Sequence, residues 1–240
     1  MNGISGSAAG GASIAARLGI FERTKLYDLV AGAPLIAWFA CCAFQQFRLL
    51  VDDCRRVDPA TVDAIQIVNL GSRLSSLIFV AVLIVLLAWR RVPQGKSHGL
   101  YPRFASLAGT YLGVGIVLLP LQPPRTPLYP ISAALTLAGT VFAIYAVLTL
   151  GRSLSMLPEA RRLVTDGPYG VIRHPLYLGE AVALFGVMLQ HLSPLAATIF
   201  VLQCAFQLER MKNEERVLSL NFPEYRGYAA RTARLVPKIY

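Results

Sequence analysis

The residues with the most chemistry in them stand together. Gly167-Pro168-Tyr169-Gly170-Val171-Ile172-Arg173-His174-Pro175-Leu176-Tyr177-Leu178-Gly179-Glu180 sets a Gly/Pro turn, two cations and two tyrosines directly before a long apolar segment. A later apolar run ends in Glu209-Arg210-Met211-Lys212-Asn213-Glu214-Glu215-Arg216. Charges beside apolar spans are costly unless they sit at a water boundary or in a polar cavity. A hairpin of the two apolar runs brings both clusters to one side. Pro175 suits a first helical position, which puts His174 at the N-cap and Tyr177 one turn on. First-turn amide hydrogens favour an anionic group there, such as a ligand carboxylate. Gly179 leaves room for a flat ring to approach the backbone.

Each of these residues also has a plainer reading. Arg173 alone reads as a cytoplasmic arginine anchoring a helix start. Glu180 either faces a polar cavity or is a helix N-terminal acid stabilised by the dipole. Arg210 and Glu214, four apart, can simply pair, as can Glu215 with Lys212 or Arg216. Beyond them, Tyr225 and Tyr228 share a helical face with Arg231 one turn further, and Arg234 follows. His98 and His191 fall between helices with no partner in the sequence and are expected to be dispensable.

The elements that must position these groups are apolar. The chain is 55% hydrophobic and 15% charged, against about 25% charged in ordinary soluble domains. The sequence predicts apolar helices over 29–47, 65–89, 104–121, 130–150, 175–190 and 194–207, the last continuing as a polar helix to 220. The fold class is therefore all-α, a polytopic membrane bundle of about six spans with a C-terminal cytoplasmic helical region. Segment 1–26, rich in Gly, Ser and Ala, reads as a flexible cytoplasmic start. Segment 27–150 reads as N-terminal transmembrane helices and 151–240 as the functional core. Gly109 and Gly113 form a GxxxG pattern, which speaks of close helix packing and of no chemistry. The early part of the second helix, with Asn69, Ser72 and Arg73, is amphipathic and suits an interface or a helix partner.

The net charge of +10 is explained by Lys and Arg on cytoplasmic loops. Arg90, Arg91, Lys96, Arg103, Arg152, Arg161, Arg162 and the basic tail lie on one side, and Arg55, Arg56 and Arg125 on the other. Both termini are then cytoplasmic, in what reads as a bacterial inner membrane. No nucleic-acid-binding motif is present. The four cysteines lack metal-ligand spacing and read as small apolar fillers.

Together the motifs resemble the isoprenylcysteine carboxyl methyltransferase family, one of a wider set of integral membrane methyltransferases that includes phospholipid N-methyltransferases. They are Gly167-Pro168-Tyr169, Arg173-His174-Pro175-Leu176-Tyr177-Leu178-Gly179, Glu214-Glu215, and Pro223-Glu224-Tyr225 with Tyr228 and Arg231. The resemblance implies S-adenosylmethionine as methyl donor and S-adenosylhomocysteine as product. It implies a cofactor site at Tyr169, His174, Pro175, Tyr177, Leu178, Gly179, Glu215 and Tyr225, with Glu214 or Glu215 on the ammonium or ribose. Arg173 and Arg231 are candidates to hold an acceptor carboxylate, and Glu214, Glu215 or Glu180 to remove a proton from an amine. The acceptor is expected to be a lipophilic small molecule or a prenylated thiol reached from the membrane lipids. Phospholipid, amine or thiol methylation, a sterol-type NADPH reductase and a non-enzymatic transporter are the competing readings.

Overall fold

A computed structural model of the protein describes residues 25–58, 60–120 and 128–237. Most of the 1–26 segment, and the 122–127 turn with Arg125, lie outside the described residues. Eight helices and a minimal two-stranded ribbon make up the described architecture. They are α1 (Lys25–Arg56), α2 (Ala64–Trp89), α3 (Leu100–Tyr111), α4 (Val114–Val117), α5 (Leu128–Leu150), α6 (Pro175–Gln190), α7 (Pro194–Asn221) and α8 (Tyr225–Arg231). Strand β1 (Gly95–Lys96) pairs antiparallel with β2 (Glu159–Ala160).

Helix starts follow local chemistry. Asp63 and Gln66 close a reciprocal capping box at the head of α2, with bonds of 2.7 and 3.1 Å. Pro175 opens α6, and Ser193 caps α7 by accepting from the Ala196 amide at 3.1 Å. Only three residues separate α6 from α7, so they fold back on each other. Met188 and Ala196 pack together near the turn.

The tightest seam joins α5 to α6. A Cβ on Gly139 would lie 2.3 Å from the Ala183 nitrogen, one on Gly179 2.8 Å from the Ala143 nitrogen, and one on Gly186 2.5 Å from Thr136 Oγ1. Small residues allow two backbones to touch, which is how helices associate where lipid removes the hydrophobic drive. Gly179 therefore faces α5. The expectation that it makes room for a ring in the site is corrected: its missing Cβ is needed for the helix seam.

Helix α1 packs on α2, α2 on α5, and α3 on α7. The Ser72 hydroxyl donates to the Ala133 carbonyl at 3.1 Å and Asn69 Nδ2 to the Tyr129 hydroxyl at 3.0 Å, so the amphipathic start of α2 faces α5. The GxxxG pair works in packing, as expected. Gly109 lies against the α7 backbone at Phe206 and Gln207, and Gly113 against Leu184.

The single helix expected over 104–121 is instead broken between α3 and α4. Gln203 on α7 accepts from the Gly113 amide at 3.0 Å and donates to the Gly109 carbonyl. A side chain inserted into the ladder interrupts the helix. His191 also departs from expectation. It is buried, with Nδ1 2.7 Å from the Leu119 carbonyl oxygen, and so ties the α6–α7 turn to the end of α4.

Helices α1 and α2, and α5 with the turn that follows it to Ser153, are long and apolar enough to cross a membrane. Outward side chains such as Val30, Phe44, Val85, Val141 and Leu148 are exposed, as a lipid-facing surface requires. The chain is an integral membrane protein. Among the described residues three helices meet the length and apolarity of a span, against about six expected. Helix α6 is apolar but 16 residues long. Helix α7 has an apolar first half and a polar second half.

Candidate active site

The corner 167–174 is shaped by a turn and sewn to the C-terminal tail. Gly167 has φ 56°, a left-handed conformation that suits glycine. It opens a short 3-10 turn that buries Pro168 and Tyr169. The Tyr169 carbonyl accepts from the Tyr228 hydroxyl at 2.7 Å. The Arg173 amide donates to the Ala233 carbonyl at 2.8 Å and the His174 amide to the Arg234 carbonyl at 3.1 Å.

Side chains complete the seam. Arg173 Nη1 donates to the carbonyls of Ala229 and Thr232, at 2.6 and 2.7 Å. These carbonyls lie at the end of α8, where helix carbonyls lack intrahelical donors. Arg173 Nε donates to Glu215 Oε1 at 3.0 Å, His174 Nε2 lies 3.0 Å from the same oxygen, and Arg234 reaches both Glu215 oxygens at 2.9 and 2.8 Å. Glu215 is thus a hub that pins the corner and the tail to α7. Burial alone pushes its carboxyl up, but hydrogen bonds from His174 and Arg234, with the Arg173 charge, outweigh that and hold its pKa down at about 2.

Glu214, its neighbour, belongs to a different set. Its Oε1 accepts from the Tyr177 hydroxyl and from Arg210 Nε at 3.1 Å. Both bonds fall on one oxygen, so the carboxylate keeps accepting capacity. Arg210 also donates to Thr110 Oγ1 at 3.0 Å and to the Ser155 carbonyl at 3.2 Å, and its guanidinium lies 4.8 Å from the Tyr177 ring centre. The His174 and Tyr177 rings stack at 5.5 Å. One turn deeper, Gln207 Nε2 donates to Glu180 Oε2 at 3.1 Å, so Glu180 faces α7 with a polar partner.

A cleft opens over this arrangement. Its wall includes Tyr169, Arg173, His174, Tyr177, Glu214 and Tyr225, six of the residues singled out from sequence. Leu154, Leu163, Val164 and Leu176 give it apolar surface, and Arg161, Arg162 and Glu159 face it from the loop after α5. The Tyr225 hydroxyl is buried and has no hydrogen-bond partner among the described residues. A buried polar atom left in that state is expensive, and a polar ligand would satisfy it.

Pro175, Leu178, Gly179 and Glu215 are not on this wall; they build the helix start, the seam and the hub behind it. Arg231 corrects a further expectation. It is exposed and off the wall, and Arg234 holds the ionic position in the tail. The expected pairing of Glu215 with Lys212 or Arg216 is also replaced, since Lys212 binds Glu209 at 2.7 Å.

Sequence reasoning missed a second ionic cluster that braces the loop. Asp28, near the start of α1, accepts from Arg90 Nε at 2.7 Å and from Arg161 Nη2 at 2.8 Å. Arg161 Nη2 also donates to Glu159 Oε2 at 2.6 Å, and Ser155 Oγ donates to that oxygen at 2.8 Å. The charges of Arg161 and Arg162 were visible as a pair, but nothing local separates the inward one from the outward one.

A polar cleft at the end of an apolar hairpin, walled by stacked aromatics and the carboxylates of Glu159 and Glu214, is the candidate small-molecule site of this membrane protein. Residues 132–220 match the family described as the isoprenylcysteine carboxyl methyltransferase (ICMT) family. The resemblance read from the motifs therefore holds for the segment running from α5 through α7.

Three curated proteins are similar to part of the chain. The nickel-cobalt-cadmium resistance protein NccN of Alcaligenes xylosoxydans xylosoxydans is 36% identical over 114 residues, 45% of this chain and 53% of that protein. Protein-S-isoprenylcysteine O-methyltransferase B of Arabidopsis thaliana is 35% identical over 106 residues, 41% of this chain and 54% of that protein. The cobalt-zinc-cadmium resistance protein CzcN of Cupriavidus metallidurans is 38% identical over 80 residues, 32% of this chain and 36% of that protein. The chain spans about half the length of the first two of these relatives and about a third of the last.

Proposed function

We propose that the protein transfers a methyl group from S-adenosylmethionine to a carboxylate on a lipophilic acceptor at the cytoplasmic boundary of a bacterial inner membrane. The observation that carries this reading is the meeting of Tyr169, His174, Tyr177, Glu214 and Tyr225 around one cleft, the first four of them within the segment 132–220 matched to a methyltransferase family. The residue set fits the donor chemically. Aromatic and aliphatic walls suit adenine, Glu214 suits an ammonium or ribose hydroxyls, and the unpartnered Tyr225 hydroxyl offers a further bond.

The donor would supply a methyl already activated on a sulfonium. An acceptor oxygen forms the C–O bond as the C–S bond breaks, and the electron pair passes to sulfur. A carboxylate acceptor has no proton to lose, so the protein's part is alignment and water exclusion. Glu215, saturated by cations, serves this reading as a positioning residue. Glu214 is the glutamate that touches the ligand. In this reading segment 151–240 is the functional core, both termini are cytoplasmic, and α3–α4, α6 and the first half of α7 complete about six spans.

Among the described residues, no group of three His, Cys, Asp or Glu side chains is gathered for a metal ion. The test is binding of tritiated S-adenosylhomocysteine to detergent-purified protein, with NADPH as the control. Saturable binding that NADPH does not displace is expected. Its absence would sink the proposal. Lipid and metabolite profiles from cells with and without the protein would then identify the acceptor by a one-methyl mass gain.

A further inference from the structure

We infer that Arg162 is the carboxylate-binding residue of the cleft, with either the amino-acid carboxylate of the methyl donor or the carboxylate of the acceptor as its ligand. The inference rests on the proposed methyl-transfer reading and replaces Arg173 and Arg231 in that role.

The other arginines around the site are already engaged. Arg173 has Nε on Glu215 and Nη1 on two carbonyls. Arg210 holds Glu214, Thr110 and the Ser155 carbonyl. Arg234 is bidentate on Glu215. Arg161 has a side chain with no exposed surface, placed between Asp28 and Glu159. Arg162 borders the cleft and is exposed. Among the described residues no salt bridge is formed by Arg162, whereas Arg161, on the same wall, forms two and Arg173 forms one.

The wall also carries Glu159 and Glu214. An anionic ligand entering it meets two negative groups, so it needs a cation whose charge is not already spent. Arg162 is well founded for that task. Its neighbour Arg161 is anchored to α1 through Asp28 at 2.8 Å, and Ala160 is paired with Gly95. The backbone leading into Arg162 is therefore held at two consecutive residues, while its side chain is exposed at the edge of the cleft. A rigid base that presents a charged side chain to a cleft is what precise ligand placement requires.

The experiment compares the full-length protein with R162Q and R162K in detergent. Three probes are used: S-adenosylhomocysteine, which has the amino-acid carboxylate; 5′-methylthioadenosine, which lacks it; and a prenylated N-acetylcysteine as acceptor. Loss of one charged hydrogen bond predicts a change of about tenfold or more. If the donor supplies the carboxylate, R162Q weakens S-adenosylhomocysteine by that factor, leaves 5′-methylthioadenosine unchanged, and R162K restores part of the loss. If the acceptor supplies it, both nucleoside affinities hold while R162Q raises the acceptor KM by that factor with kcat retained. Unchanged values for all three probes overturn the inference, as does an equal loss for both nucleosides, which marks general damage. A wild-type protein that binds neither nucleoside overturns the methyl-transfer reading and this inference with it. That failure is recognised before any variant is made.

Discussion

Two adjacent glutamates divide the labour of the site. Glu215 accepts from Arg173, His174 and Arg234, whereas Glu214 accepts from Tyr177 and Arg210 and borders the cleft. Glu214→Gln is expected to weaken S-adenosylhomocysteine binding about tenfold while the tail keeps its wild-type resistance to proteolysis. Glu215→Gln is expected to loosen the tail first, seen as faster proteolysis after residue 222. The reverse pattern would exchange their roles.

Acid should expose the same difference. Folding lowers the Glu215 pKa from 4.5 to about 2. A depressed acid contributes its stabilisation fully above the unfolded value and loses it as pH falls through the folded one. Tail protection should therefore be flat down to about pH 5 and decline between 4.5 and about 2. The Glu215→Gln variant should lack that step. A step of equal size in the variant would assign the transition to another group.

The corner and the acidic helix were legible in the sequence because one short hairpin joins them, and geometry leaves two consecutive helices little choice. Asp28 was not legible. Its partners Arg90 and Arg161 lie 62 and 133 residues away, and no periodicity reports such a contact. Gly179 was misread for a related reason: a missing Cβ signals close approach, but the sequence does not say whether a ligand or a helix approaches.

At the level of elements, stability rests on the α5–α6 seam and on the Asp28 brace. Gly139→Val would drive a side chain into the Ala183 backbone, where a Cβ alone stands 2.3 Å away. Overpacking of this kind costs about 1–3 kcal/mol or more. Gly115→Ala is the contrast, since its Cβ would meet only Ile199 Cδ1 at 3.6 Å. It should match or slightly exceed wild type, because alanine loses less entropy in a helix. Thermal unfolding in one detergent orders the variants, and equal melting would show that the seam is slack. Asp28→Asn leaves two buried guanidiniums without their shared counter-charge and is expected to cost about 3–5 kcal/mol. Loss of the brace should also free the 151–163 loop, read as increased amide exchange there. Wild-type exchange in that loop would separate α1 from the site.

The arrangement of the whole molecule follows from where charge can lie. The hub of Arg173, His174, Glu215 and Arg234 and the brace of Asp28, Arg90 and Arg161 sit at the same end of the bundle, joined by the 151–163 loop. The α6–α7 turn with Ser193 lies at the other end. A 16-residue helix rises about 24 Å, short of the roughly 30 Å hydrocarbon core. Helix α6 can cross only if its polar flanks reach the interfaces or the bilayer thins slightly, at a modest cost. The corner before Pro175 supplies such a flank on one side, and the partly exposed Ser193 supplies it on the other. A crossing hairpin is therefore the economical solution, and it predicts sidedness. In a cysteine-free background, Ser193→Cys should react with an impermeant maleimide added to intact spheroplasts, while Ser219→Cys should react only after permeabilisation. Labelling of both from the same side would make the hairpin re-entrant. The count of spans would then fall by two, the amino-terminal and carboxy-terminal ends would still share one face, and the cleft would have to be reached from the membrane side that carries Ser193.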